Sequence, residues 1–214
     1  MISLTLILII MTSLISYQAF VNPEMKARLM LYPVQMKSRG EWYRFVTYGF
    51  VHADWQHLLI NMFVLYMFGE YLESAMFSVF GASLGRLMYL VLYLSALVIA
   101  TIPSYFKHQD NYGYAAVGAS GATSALVFGF ILFNPWEWFI FPPLPALFFG
   151  IGYLWYSSYM EKRGLDNIGH NTHFWGAIYG LVFILISAYA LRPGLLYFFL
   201  DRLLAGPSVP GFLQ

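Results

Sequence analysis

The chain has 214 residues, of which 60% are hydrophobic, 20% aromatic and only 10% charged, against about 25% charged in an ordinary soluble domain. Too few polar side chains are present to cover a water-exposed globule, so lipid must solvate much of the surface and the chain reads as a polytopic membrane protein. A net charge of +1 supplies no field for nucleic acid or an acidic partner, and the lack of cysteine excludes disulfides, thiolate metal sites and a cysteine nucleophile.

Residues 2–20 carry no charge and supply the length of about 20 residues that a spanning helix needs. A cleaved signal is the alternative; without a basic n-region or a small-residue cleavage site, the segment is expected to stay as the first span. Residues 21–56 mix Lys26, Arg28, Lys37, Arg39, Glu41 and Arg44 with aromatics, which fits an interfacial loop. From His57 an apolar run extends to Glu70 and Glu73, which helical rise places about 20 and 24 Å along the axis, at the opposite membrane face. Residues 87–106 form a third span and 118–134 a fourth that stops at Pro135; about 140–160 form a proline-rich fifth, and 173–191 a sixth ended by Arg192 and Pro193. The expected fold is an all-α bundle of six transmembrane helices in a single domain, with a tail too short to cross again.

Alternating directions make the second, fourth and sixth spans parallel, so their N-termini share one membrane side. Those N-termini carry His57 and Asn61, then Ser120 within Gly118-Ala119-Ser120-Gly121, then His173. Polar groups in apolar spans are costly unless they face the bundle interior or a water cavity, which makes function the default expectation. Ser120 with His173 as base would form a nucleophilic dyad. His57 and Asn61, spaced i, i+4 on one helix face, and the Ser120 backbone N–H would stabilise an oxyanion. Neither Asp166 nor Asp54 is placed as an orienting acid, so no triad is expected. Gly121, Ala125 and Gly129, facing Gly176 and Gly180, give the small-residue pattern of closely packed membrane helices.

Each reading has a plainer competitor. The Gly-Ala-Ser-Gly string alone is also a packing face, His57 and Asn61 also a structural hydrogen-bonding pair, and Arg44 also a snorkelling interfacial charge. His52, His57, His170 and His173 would be a metal or proton site if they converged, although no HExxH string is present. A non-enzymatic scaffold that binds membrane helices is the competing function.

Taken jointly, these residues resemble the rhomboid family of intramembrane serine proteases over about residues 42–191. Trp42-Tyr43-Arg44 resembles the first-loop Trp-Arg element, followed at the family's spacing by His52, His57 and Asn61, with Glu73 in place of the acidic residue at the far end of span two. Gly118-Ala119-Ser120-Gly121 resembles the nucleophile motif, and His173 through Gly176 to Gly180 the His-x-x-Gly-x-x-x-Gly of the last core span. The resemblance implies Ser120 as nucleophile, His173 as base, and His57, Asn61, Gly118 and the Ser120 amide as the oxyanion and substrate-binding groups. It further implies no metal or cofactor, membrane-protein substrates entering sideways from lipid, and a plasma-membrane enzyme opening to the extracytoplasmic side. Two positions depart from the pattern: Tyr43 stands where a Trp is often found, and Ser124 where many members carry a Tyr that stacks on the catalytic imidazole. Charge opposes the implied orientation. The first, third and fifth loops hold Lys26, Arg28, Lys37, Arg39, Arg44, Lys107, Lys162 and Arg163, eight of the eleven basic residues, a bias that by itself would place those loops in the cytoplasm.

Overall fold

The structure is a computed structural model that describes residues 2–140, 142–163 and 169–207. It is an all-α bundle, with each of the six expected apolar segments folded as helix. α1 covers Leu4–Val21, and the interfacial segment folds into short helices α2 (Pro23–Leu29), α3 (Pro33–Arg39) and α4 (Arg44–Thr47). α5 (Trp55–Val64) runs through a π-helical turn, Leu65–Gly69, into α6 (Glu70–Phe80). α7 (Ala82–His108), α8 (Ser120–Phe133), α9 (Ala146–Arg163) and α10 (His170–Leu191) follow, then α11 (Gly194–Leu204). Among the described residues three helices, α1, α7 and α10, are long and apolar enough to cross a membrane on length and composition alone. α8 is apolar but has only 14 residues.

α1 is amphipathic in an unusual sense. Its buried stripe is Thr5, Leu8, Thr12, Ser16 and Ala19, while Ile10, Met11 and Leu14 point outward. Small and hydroxyl-bearing residues on the inner face let a helix approach its neighbours closely in lipid. Its first turn is held by the end of span two: Glu73, nearly buried, accepts from the Leu4 and Thr5 amides, both at 2.9 Å, and from Thr5 Oγ1, and lies 3.6 Å from Arg86 Nε. Backbone donors that a helix cannot satisfy itself are thereby paired with a carboxylate favoured by the helix dipole. The contact also fixes α1 antiparallel to span two, with Glu73 at the end remote from His57, as the helical rise requires.

The segment between α1 and α5 is organised around Arg44, which is 2% exposed. Its Nε donates to Glu41 at 2.6 Å, Nη1 to the Ala27 and Met30 carbonyls at 2.8 Å, and Nη2 to Gln35 Oε1 at 2.8 Å. The snorkelling alternative for Arg44 is therefore wrong: a buried guanidinium needs acceptors in its own plane, and three stretches of the segment fold around it to provide them. Trp42 and Tyr43 remain half exposed, Trp42 edge-on to Tyr105 of α7. The segment is clamped to the stretch preceding α8 by paired bonds between Leu31 and Ala116 and by the Gly118 amide donating to the Tyr48 carbonyl at 2.9 Å.

α8 is the core of the bundle, buried from Gly121 to Gly129 around its whole circumference, as a uniformly apolar helix must be. α7 and α10 pack against it. α9 is peripheral: only Ala146, Gly150 and Ser157 are buried along it. α11 seats Leu195 and Phe199 inward, with Phe199 edge-on to Phe133 at the end of α8.

Candidate active site

The segment entering α8 is bent by Gly118, whose φ of +113° is a conformation open to glycine. A side chain there would also collide with His57, since a Cβ would lie 2.5 Å from the imidazole Cε1 and 2.7 Å from Nε2. The bend and the bare Cα together bring the His57 ring against the chain two residues before Ser120. Asp54 caps α5 by accepting from the His57 amide at 2.8 Å, so it is engaged at the helix end. Asn61 is buried one turn further along, donating from Nδ2 to the His57 carbonyl at 2.9 Å. Thr123 ties Asn61 to α8, with its Oγ1 3.4 Å from Asn61 Oδ1 and 3.2 Å from the Ser120 carbonyl.

His52 holds the residue before Ser120. Ser16 Oγ has one proton, which it donates to the Phe50 carbonyl at 2.9 Å, so the 2.9 Å contact between Ser16 Oγ and His52 Nδ1 is made with the ring N–H as donor. Nε2 is then free of its proton and accepts from the Ala119 amide at 3.4 Å. Burial pushes the pKa of His52 down to about 3, aided by His57 beside it, so the ring is neutral and this single tautomer suits all three contacts.

α10 approaches α8 main chain to main chain. A Cβ on Gly176 would lie 2.1 Å from the Gly121 carbonyl oxygen, and one on Gly180 would lie 2.3 Å from that of Ala125. Thr172 packs on Gly121 from the preceding turn of α10. Ser120 and His173 therefore occupy adjoining first turns of two helices in backbone contact, one residue from Gly121 and one turn before Gly176 respectively. The ring of His173 lies nearly parallel to that of Tyr153 of α9, with centroids 6.0 Å apart and an interplanar angle of 21°. Tyr153 in turn shares a 2.7 Å hydroxyl–hydroxyl bond with Ser124.

Four of the five histidines fall into two pairs, His52 with His57 at 5.0 Å between centroids and His170 with His173 at 6.0 Å. Among the described residues no group of three or more His, Asp or Glu side chains is placed to hold a metal ion. Asp166 lies outside the described residues. Sequence reasoning brought Ser120, His173, His57, Asn61 and Gly118 to one end of the bundle, where the structure also has them, but passed over Thr123, Ser16 and Tyr153. A signal for Thr123 existed, a hydroxyl one turn after Ser120 in a helix whose other polar residues are Ser120 and Ser124. Ser16 and Tyr153 gave none, because their partners are distant in sequence.

Residues 39–190 match the Rhomboid domain family model. The chain is 34% identical over 96 residues to YdcA of Bacillus subtilis (strain 168), named as a candidate rhomboid protease, a match covering 45% of this chain and 43% of that one. It is 38% identical over 98 residues to Rhomboid-like protein 11, chloroplastic, of Arabidopsis thaliana, covering 45% and 31%. Against Rhomboid-related protein 1 of Caenorhabditis elegans it is 29% identical over 161 residues, covering 72% and 42%. In each case the chain spans less than half the length of the relative. The domain match extends over well more than half of this sequence, and the chain belongs to the rhomboid family.

Proposed function

We propose that the protein is an intramembrane serine endopeptidase that hydrolyses a peptide bond in or near the transmembrane segment of another membrane protein. The observation that carries the proposal is the glycine-mediated contact of α8 with α10, which sets Ser120 and His173 in adjoining turns beside Gly118 and His57. In this reading His173 removes the Ser120 proton as Oγ attacks the scissile carbonyl carbon. The negative charge that forms on the carbonyl oxygen is met by the Ser120 amide, which at the start of α8 has no partner within the helix, and by His57 and Asn61. Ala53 donates a long 3.5 Å contact to His57 Nδ1, which favours the tautomer with its proton on Nε2, the edge turned to Gly118. Collapse of the intermediate breaks the C–N bond, and the leaving amine takes the proton from His173. Water, deprotonated by the same imidazole, then hydrolyses the ester on Ser120 and releases the acid.

The 14 residues of α8 span about 21 Å, roughly 9 Å less than the hydrocarbon thickness. If the C-terminal end of α8 meets one face, Ser120 lies beneath the headgroups of the other, within reach of a substrate helix that enters sideways. Such a substrate must unwind locally, since a helix hides its carbonyls in its own hydrogen bonds. We assign the plasma membrane with the site opening to the extracytoplasmic side, on the ground that the segment holding five of the eight basic residues of the first, third and fifth loops is folded around Arg44 rather than left as a free positive loop.

The test is cleavage of a model single-pass substrate in proteoliposomes by wild type and Ser120→Ala. Cleavage by the first and none by the second is expected; equal cleavage by both refutes the mechanism. Fluorophosphonate labelling of Ser120 that requires His173 separates the enzyme from a helix-binding scaffold, for which folded protein would remain unlabelled.

A further inference from the structure

An aromatic ring reaches the candidate base from a helix that bears neither Ser120 nor His173. Tyr153 reaches the site from α9 and lies over His173 with centroids 6.0 Å apart, close to parallel at 21°, inside the range in which offset aromatic rings attract. Its hydroxyl is bonded to Ser124 Oγ at 2.7 Å. Ser124 stands one helical turn below Ser120 on the same helix, so the ring that faces the base is fastened to the helix that bears the nucleophile. Phe149 and Phe128 pack on the tyrosine ring at 6.0 Å from α9 and α8, which leaves it little freedom to turn.

Resting on the proteolytic reading above, we propose that Tyr153, anchored by Ser124, is the positioning residue for the His173 imidazole. A ring that only filled space in this apolar neighbourhood would be served as well by phenylalanine. A buried hydroxyl is retained where it has a partner to satisfy it, and here that partner is the residue whose smallness leaves room for the ring. Tyr153 touches no substrate atom in this account; it acts through His173.

The experiment uses the full chain in proteoliposomes, with kcat and KM measured separately. Tyr153→Leu is expected to lower kcat about 10- to 30-fold with KM within about twofold, the mark of an interaction that aligns the reacting groups rather than binds substrate. Tyr153→Phe and Ser124→Ala each keep the ring and remove the anchor; each should lower kcat about threefold, and their double variant no further, since both delete one bond. Moving the ring to α8, in a Ser124→Tyr, Tyr153→Ala double variant, should restore most of the loss seen in Tyr153→Leu. A folded Tyr153→Leu enzyme with wild-type kcat, or a loss carried wholly by KM, overturns the proposal. Should Tyr153→Leu fail to fold, additive losses in the Phe and Ala variants, or none, overturn it equally. The His173 ring signals in histidine-labelled protein, assigned with His173→Gln, give a readout independent of proteolysis: they should move in Tyr153→Leu and return in the double variant. Unmoved signals refute the positioning role even if the chain proves to have no protease activity, a failure that Ser120→Ala would report by itself.

Discussion

Replacing Gly176 by alanine adds one methyl group and, on the proteolytic reading, should cost the protein most of its activity. The new Cβ would lie 2.1 Å from the Gly121 carbonyl oxygen and 2.8 Å from its carbonyl carbon, whereas carbon and oxygen rest at about 3.3 Å. The opposing atom is backbone, so no side chain can swing aside, and α10 must move from α8 by about 1 Å at the level of Ser120 and His173. A serine–imidazole bond works between about 2.6 and 3.2 Å, and a displacement of that size costs about a hundredfold in rate, or about 2.7 kcal/mol in the barrier. Overpacking should also lower stability by about 1–3 kcal/mol. Turnover of a transmembrane substrate and thermal unfolding, measured on the same preparation, separate the two effects. Gly152→Ala is the control, because nothing lies within 4 Å of the Cβ it would add. A Gly176→Ala protein that turns over within about threefold of wild type would refute the claim that main-chain contact sets the site.

Two further outcomes are expected. His52 is held neutral in the fold with a pKa near 3, against 6.5 for an unhindered imidazole, so its contribution to stability is complete above pH 6.5. That contribution is lost as pH falls toward 3, because the unfolded chain takes up the proton first, with a slope of up to about 1.4 kcal/mol per pH unit; thermal unfolding across this range should show it, and His52→Gln should flatten it. Glu73→Ala deprives the first turn of α1 of its acceptor and Arg86 of its nearby carboxylate, which should cost about 2–4 kcal/mol. Because Glu73 lies at the far end of the bundle, kcat of the protein that remains folded should be unchanged.

What the sequence disclosed, and what it withheld, follows from the range of the interactions involved. Runs of apolar residues bounded by proline or charge are local, and a helix covers most of each expected span, with α7 starting at Ala82 rather than 87, α9 at Ala146 rather than about 140 and α10 at His170 rather than His173. The gathering of His57, Ser120 and His173 at one end followed from helix direction alone, and the small residues at 121, 125, 176 and 180 signalled the contact that aligns two of them. Arg44 was ambiguous because a snorkelling arginine and a buried one have the same neighbours in sequence; only the folding of residues 27–41 around it distinguishes them. Ser124 pointed to a missing ring without saying which residue replaced it, since Tyr153 meets it across helices 29 positions apart. Likewise, nothing near Ser16 indicates that it selects the tautomer of His52.

The bare contact between α8 and α10 also bears on how such a chain would fall silent. Duplicated enzymes are commonly judged dead or alive by whether their reacting side chains survive. On the proteolytic reading the spacing of those side chains resides in a hydrogen at 176, so a descendant that kept both the alcohol and the imidazole but gained one methyl there would pass that inspection with most of the reaction gone.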